Sequence, residues 1–170
     1  SALNHATTKI GDSIAIDGVC LSLVDNSHHT LDFDLVSETL RATCLGDLIC
    51  GAKVNLERSL KVGDSVSGHF VSGHVDGCAV LMERAEAQGT ITLTFDLPST
   101  LRRFVCPKGS IALNGVSLTV GEVQVDSFSV YIIPHTAQVT NLGELKAGSK
   151  VNLEVDMLAR YVANNLATYV

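Results

Sequence analysis

Two histidines five residues apart, His69 and His74, lie in the segment Ser67-Gly-His-Phe-Val-Ser-Gly-His-Val-Asp-Gly77. Flanking glycines present an imidazole without steric cover, and a neutral imidazole can donate or accept a proton near pH 7. Metal ligation is the competing chemistry, but no Cys, Asp or third His falls at a metal-site spacing around the pair. A second set of reactive types sits on short alternating runs: Cys20 and Ser22 in Val19-Cys-Leu-Ser-Leu23, and Ser117 and Thr119 in Val116-Ser-Leu-Thr-Val120. Small polar side chains two and four residues past a glycine suit a surface where a flat ligand approaches the backbone. The plain alternative is a solvated strand face, though Cys behaves as a small hydrophobe and fits such a face poorly. Asp156 could act on a substrate or simply cap the helix that follows it.

The elements that position these residues occur twice. Ser13-Ile-Ala-Ile-Asp-Gly-Val-Cys-Leu-Ser-Leu23 and Ser110-Ile-Ala-Leu-Asn-Gly-Val-Ser-Leu-Thr-Val120 each read as an apolar run, an Asp-Gly or Asn-Gly pair, then an alternating run. Such a pair supplies the positive φ angles of a type I′ turn, so each copy predicts a tight hairpin. An offset of 97 residues aligns 11–57 with 108–154 without a gap, with 17 of the 47 positions identical, among them Thr39/Thr136, Thr43/Thr140 and Val54-Asn-Leu-Glu57/Val151-Asn-Leu-Glu154. One unit has been duplicated.

Around the hairpins, the pattern predicts a turn at Asp25-Asn26-Ser27, a half-buried strand over 30–36, and a short helix from Glu38 with Ser37 as its N-cap. His28-His29 reads as a loop tip. A closing strand follows at Val54 to Arg58. The second unit adds a long pair, Val75 to Ala85 and Thr90 to Leu97, around Gln88-Gly89, and a short helix after Pro98. It then repeats the hairpin, a strand at 127–133, a turn-helix at 134–141 and a strand at 150–155. Leu158 to Leu166 has helical apolar spacing. Short strands joined by hairpins, with little helix, predict small antiparallel barrels.

Composition narrows the function. Net charge is −6 with no basic run longer than two residues, which argues against nucleic acid or an anionic membrane as partner. No apolar run approaches the ~18 residues of a membrane span. Residues 1–9 carry no leader pattern. Five cysteines without a CxxC pair point to reduced thiols in a cytosol rather than a disulfide framework. Phosphate-loop, dinucleotide, zincin and nucleophile-elbow motifs are absent from the sequence.

The paired hairpins, the Ser-Gly-His-Phe-Val-Ser-Gly-His-Val-Asp-Gly segment and the doubled Val-Asn-Leu-Glu resemble the lumazine-binding family of riboflavin synthases, along essentially the whole chain. The resemblance implies an all-β fold of two tandem six-stranded Greek-key barrels plus a C-terminal helix, divided as 1–66, 67–157 and 158–170, and assembled as a cytoplasmic homotrimer. It implies that two molecules of 6,7-dimethyl-8-ribityllumazine dismutate by four-carbon transfer, giving riboflavin and a ribitylaminopyrimidinedione, without a cofactor or metal. The alternative within the family is a non-catalytic lumazine or flavin binder. The family's catalytic positions fall on Ser13, Cys20, His74, Ser117, Thr119 and Asp156. Its ligand-binding positions fall on Cys20, Leu21, Ser22, Asp34, Leu35, Val36, Ser37, Glu38 and Thr39 in the first unit. In the second they fall on Gly73, His74, Val75, Lys108, Ser117, Leu118, Thr119, Tyr131, Ile132, Ile133, Pro134, His135 and Thr136. Two departures stand out: His135 where the first unit has Glu38, and Asn114 where Asp is common. The offset places the start of the first unit about 25 residues before Ser1. The expectation is therefore an intact second barrel and an incomplete first one, with weak ligand binding in the first half and little activity.

Overall fold

The computed structural model describes residues 7–27 and 30–167; His28 and His29 lie outside the described residues. The described residues form ten strands: β1 (Ser13–Ile16), β2 (Val19–Ser27), β3 (Thr30–Phe33), β4 (Leu56–Arg58), β5 (Gly77–Ala87), β6 (Thr90–Asp96), β7 (Ser110–Leu113), β8 (Val116–Val123), β9 (Ser127–Ile132) and β10 (Lys150–Val155). Three α-helices accompany them: α1 (Ser37–Ala42), α2 (Pro134–Val139) and α3 (Met157–Ala167).

Strands β5 to β10 close into a six-stranded barrel in the order β10-β5-β6-β9-β8-β7, sealed by β7 pairing with β10 at Leu113 and Leu153. Closure leaves no free edge. In the first unit the described strands form a four-stranded sheet, β3-β2-β1-β4. That order reproduces β9-β8-β7-β10, so the duplicated sequence makes duplicated topology. The irregularity in pairing recurs as well, at Leu23/Asp25 in one unit and Val120/Val123 in the other.

The hairpin turns follow from their dipeptides. Asp17 and Gly18 have φ of 45° and 77°, and Asn114 and Gly115 have 46° and 79°, both residues positive as a type I′ turn requires. Alternation then sets the faces. Along β2, Val19, Leu21 and Leu23 are buried while Cys20, Ser22 and Val24 are exposed. The barrel interior is filled by Leu81, Leu93, Phe95, Ile111, Leu113, Phe128, Val130, Leu153 and neighbours. Phe95 and Phe128 face each other across β6 and β9 with ring centroids 5.7 Å apart. The first unit's core is smaller: Val19, Leu21 and Leu45, with Ile16, Phe33, Leu35 and Val75 packed against them.

Four expectations change. Strand β2 continues through Asp25, Asn26 and Ser27, which pair with Asp32, Leu31 and Thr30 and so form no turn. Ser37 is the first helical residue and Val36 holds the cap position without a side-chain bond. Its repeat counterpart is Pro134, which belongs at a first helical position because it lacks the N–H no helix bond needs there. The segment after Pro98 makes only a 3-10 turn at Arg102–Phe104. Finally, the thiols are not all free: Cys44 and Cys78 are joined, their Cα atoms 6.2 Å apart, within disulfide range. The pairing is tertiary, because Cys44 lies in the first unit's 3-10 turn and Cys78 on β5.

The units dock around a local twofold. Gly18 and Gly115 meet back to back: a Cβ on Gly18 would fall 2.5 Å from Gly115 N and 2.8 Å from its Cα. Around that contact, equivalent residues exchange equivalent bonds. Asn55 N donates to Asp17 Oδ1 at 2.7 Å, and Asn152 N to Asn114 Oδ1 at 2.8 Å. The same two asparagines reach across: Asn55 Nδ2 donates to the Asn114 carbonyl at 3.0 Å, and Asn152 Nδ2 to the Asp17 carbonyl at 2.8 Å. Asn55 and Asn152 are the Asn of the doubled Val-Asn-Leu-Glu, which explains that identity. Two exposed ion pairs follow the symmetry, Lys53–Glu144 at 2.5 Å and Lys150–Asp47 at 2.7 Å. Exposed pairs contribute about 0–1 kcal/mol each, so the asparagine exchange, part-buried at Asn55 and buried at Asn152, dominates the docking.

Candidate functional site

The glycine-rich segment forms a strap across both units. Gly68 (φ 83°) lies so close to Ser117 that a Cβ there would overlap its side chain. Five residues on, Gly73 (φ 79°) lies against Cys20: a Cβ would fall 2.5 Å from Cys20 Cβ. The Gly73 carbonyl accepts from Cys20 N at 3.0 Å. Only glycine combines the left-handed backbone with this approach. Ser117 and Cys20 are equivalent positions in the repeat, so one strap touches the same point of both units.

Glu154 fastens the strap. Its carboxylate, 4% exposed, accepts from Ser72 N at 2.7 Å and Ser72 Oγ at 2.6 Å through Oε1, and from Gly73 N at 2.9 Å through Oε2. Three charge-assisted bonds justify burying the charge. Behind it, Asp76 Oδ2 accepts from Val155 N at 2.8 Å, and Asp76 pairs with Arg160 of α3 at 2.6 Å. The strap is thereby tied to the barrel and to the last helix.

His69 Nδ1 lies 2.8 Å from Ser117 Oγ. Its Nε2 is buried without a hydrogen-bond partner among the described residues. His74 is exposed on the strap's far side of Gly73. Gly73-His74-Val75, carried over to the second unit's pocket, also abuts the first: Gly73 bonds Cys20, and Val75 packs with Val19 and Leu21. The strap's ends meet different units: Gly68 and His69 lie against Ser117, whereas Gly73 and Val75 lie against Cys20 and the smaller core, with Glu154 of the barrel holding the strap between them at Ser72 and Gly73.

The remaining candidates divide by element. Ser13 pairs with Ser22 and Ser110 with Thr119 in matching register, opposite ends of each hairpin. Leu21 points into the first core, whereas Leu118 is half-buried against the barrel core. Asp34, Val36, Ser37, Glu38 and the half-buried Leu35 and Thr39 surround the start of α1. Tyr131, Ile133, Pro134 and His135 are exposed around the start of α2, with Thr136 half-buried, while Ile132 points into the core. The Tyr131 ring crosses Gly121, where a Cβ would fall 2.5 Å from Cε2. Lys108 is exposed with φ 66°. Asp156 Oδ1 accepts from Leu158 N at 2.9 Å, so the carboxylate caps α3.

Asp17 is 5% exposed, and its ionisation is perturbed. Burial raises its carboxyl above 3.8, against the lowering effect of the bonds from Asn55 N and from Asn141 Nδ2. It serves the docking of the units. A cleft of about 630 Å³ opens beside it, lined by Asp47, Lys53, Glu144 and Lys150 among others. None of the candidate site residues lines that cleft, and both lysines are already paired. In the sequence His69 stands out without a partner, and Glu154 does not stand out as an anchor. The only sequence signal for either was Gly68 before the histidine and the repeated Val-Asn-Leu-Glu.

Fold and site together define a tandem-repeat β protein, one unit a closed barrel and the other described as a four-stranded sheet, whose equivalent strands carry outward small polar residues beneath a shared glycine strap. Residues 1–59 and 72–156 match the family model described as Lumazine binding domain. A riboflavin synthase of Brucella abortus (strain 2308) is 44% identical over 174 aligned positions, covering 99% of this chain and 86% of that protein. A riboflavin synthase of Bacillus subtilis (strain 168) is 40% identical, covering 90% of this chain and 71% of that protein. Among solved structures, LumP complexed with riboflavin superposes with a TM-score of 0.82 at 26% identity, covering 88% of this chain and 81% of that one. LumP complexed with 6,7-dimethyl-8-(1′-D-ribityl)lumazine gives 0.79 at 25% identity, covering 88% and 80%. The chain belongs to the lumazine-binding family, in its riboflavin synthase branch.

Proposed function

We propose that this chain is a transferase that dismutates two molecules of 6,7-dimethyl-8-ribityllumazine, with one repeat unit holding the four-carbon donor and the other the acceptor. The products are riboflavin and 5-amino-6-ribitylamino-2,4-pyrimidinedione. One substrate gains the four carbons that the other loses, so no external oxidant, reductant or cofactor enters the balance. The observation that carries this reading is the duplication itself: Cys20 and Ser117 occupy equivalent outward-facing positions under one strap, in a chain 44% identical to a riboflavin synthase. Two identical substrates call for two related sites, and holding two heterocycles face to face is worth as much as ~7–11 kcal/mol of barrier. The Cys/Ser difference makes the two sites unequal, as donor and acceptor roles require.

In this reading Cys20, Ser117 and Thr119 face the heterocycles, and the starts of α1 and α2, with Glu38 and His135, hold the ribityl chains. His74 supplies acid-base assistance at the mouth; Ser13, Lys108 and Asp156 complete the set. The units are 1–66 and 67–157, followed by a C-terminal segment, 158–170, whose described part belongs to α3 and serves assembly. A cytoplasmic homotrimer belongs to the same proposal. Leu158, Tyr161, Val162 and Leu166 are exposed at helical spacing on α3, an apolar stripe that an assembly would cover.

The test is turnover of the lumazine followed by riboflavin absorbance. Cys20→Ser and Ser117→Ala should each lower turnover at least tenfold with the fold intact. His74→Gln should lower turnover about 10²–10⁴-fold with less effect on affinity. Wild-type turnover in all three variants overturns the site. Lumazine that stays bound and unconverted by the unmodified chain favours a binding protein instead, a reading to which the LumP likeness gives some weight.

A further inference from the structure

We propose that His69 is a positioning residue that fixes the direction of the Ser117 hydroxyl through one particular tautomer, with the proton on Nδ1. This rests on the reading above, in which Ser117 faces the heterocycle.

The two ring nitrogens of His69 stand in different surroundings. Nδ1 sits 2.8 Å from Ser117 Oγ, so one of the two must donate to the other. Either the serine hydroxyl donates into the Nδ1 lone pair, or Nδ1–H donates to the serine oxygen. The choice is made at the other end of the ring. Nε2 is buried with no partner among the described residues. A buried N–H without an acceptor is the rarer orphan in folded proteins, because a strong donor then loses water for nothing. A bare lone pair at Nε2 is the better tolerated outcome, which places the single proton of the neutral ring on Nδ1.

The consequence falls on Ser117. When Nδ1–H donates to Oγ, the hydroxyl cannot spend its own hydrogen on the histidine. That hydrogen is then free to be donated outward, toward a carbonyl oxygen or ring nitrogen of a pyrimidinedione-type heterocycle. Ser117 becomes a committed donor toward the ligand instead of a rotor shared with its neighbour. The strap enforces the arrangement: Gly68 lies directly over Ser117, and Glu154 pins the strap at Ser72 and Gly73. Among the described residues nothing comparable stands over Cys20, where Gly73 offers a carbonyl to the backbone and no side chain. The equivalent positions thus differ in polarity as well as in residue type: a directed donor at Ser117, a thiol at Cys20.

The experiment has a spectroscopic arm and a binding arm, both on the full chain. With ¹⁵N-labelled histidine, long-range ¹H–¹⁵N correlation separates the Nδ1–H from the Nε2–H pattern, and the His69 signals are those lost in His69→Asn. The expected result is Nδ1–H; an Nε2–H pattern overturns the proposal whatever the protein binds. The binding arm titrates riboflavin by fluorescence. An Asn amide can place an N–H near the position of Nδ1, whereas a Gln amide reaches the position of Nε2. His69→Asn should hold affinity within about threefold, and His69→Gln and His69→Phe should each lose about tenfold, the worth of one directed hydrogen bond. In a Ser117→Ala background the three variants should bind alike. Equal losses for Asn and Gln, or losses that multiply with Ser117→Ala, overturn the positioning role. Should Ser117→Ala itself leave binding untouched, the assignment of Ser117 to the ligand fails, while the correlation spectrum still decides the tautomer.

Discussion

Replacing Glu154 by Gln turns one carboxylate oxygen into an amide nitrogen at a point where three donors converge. With the amide oxygen kept toward Ser72, two bonds survive as neutral ones, and Gly73 N–H faces another donor in place of Oε2. Hydrogen bonds to a charged group contribute about 1.5–3 kcal/mol, and neutral ones about 1. Losing one and weakening two should destabilise the chain by roughly 3 kcal/mol. For a chain of this size that corresponds to a fall in Tm of about 6–12 °C. The repeat supplies a matched control, because Glu57 is the equivalent residue and is exposed. Glu57→Gln should change stability by no more than about 0.5 kcal/mol. Urea unfolding of the two variants beside the unmodified chain measures both, and hydrogen exchange at the Gly73 amide should accelerate only in Glu154→Gln. A loss below about 1 kcal/mol at Glu154, or equal losses at the two sites, would refute the account of the strap as held by this carboxylate.

Two further outcomes concern the docking of the units. Gly18→Ala combines a left-handed backbone with backbone atoms of Gly115 2.5–2.8 Å from the new methyl, and should cost at least about 3 kcal/mol; Gly51→Ala, with φ 88° and open space, should cost about 1–2. Thermal unfolding of the pair separates packing from backbone strain, and similar costs would argue against the contact between the turns. Asp17 gives a pH signature. Because burial raises its folded carboxyl above 3.8, its contribution favours the folded state below the unfolded value and is lost as pH rises through the folded one. Asp17→Asn, which copies Asn114, should therefore gain stability relative to the unmodified chain as pH rises from 3.5 to 7, and chemical denaturation across that range should show no such gain if the carboxyl is unperturbed.

Much of this protein is determined locally and was legible in the chain. Asp17-Gly18 and Asn114-Gly115 specify their turns because few other dipeptides tolerate two positive φ angles, and the alternation after them fixes which side chains face inward. Duplication was legible for the same reason: identical local rules leave identical residues. Misreadings arose where neighbouring strands overruled local signals. Asp25-Asn26-Ser27 has turn composition but is held extended by pairing to Thr30, Leu31 and Asp32. Ser37 looks like a cap but starts the helix where its counterpart Pro134 does. The site depended on tertiary structure still more. No spacing in the sequence brings His69 to Ser117, 48 residues away, or Glu154 to Gly73, 81 residues away, or Cys44 to Cys78. Those contacts exist because barrel closure lays β10 beside β5 and because two hairpin turns without side chains can meet back to back. Sequence periodicity encodes which face a residue takes; which distant residue it meets is set by how the strands close and the units dock.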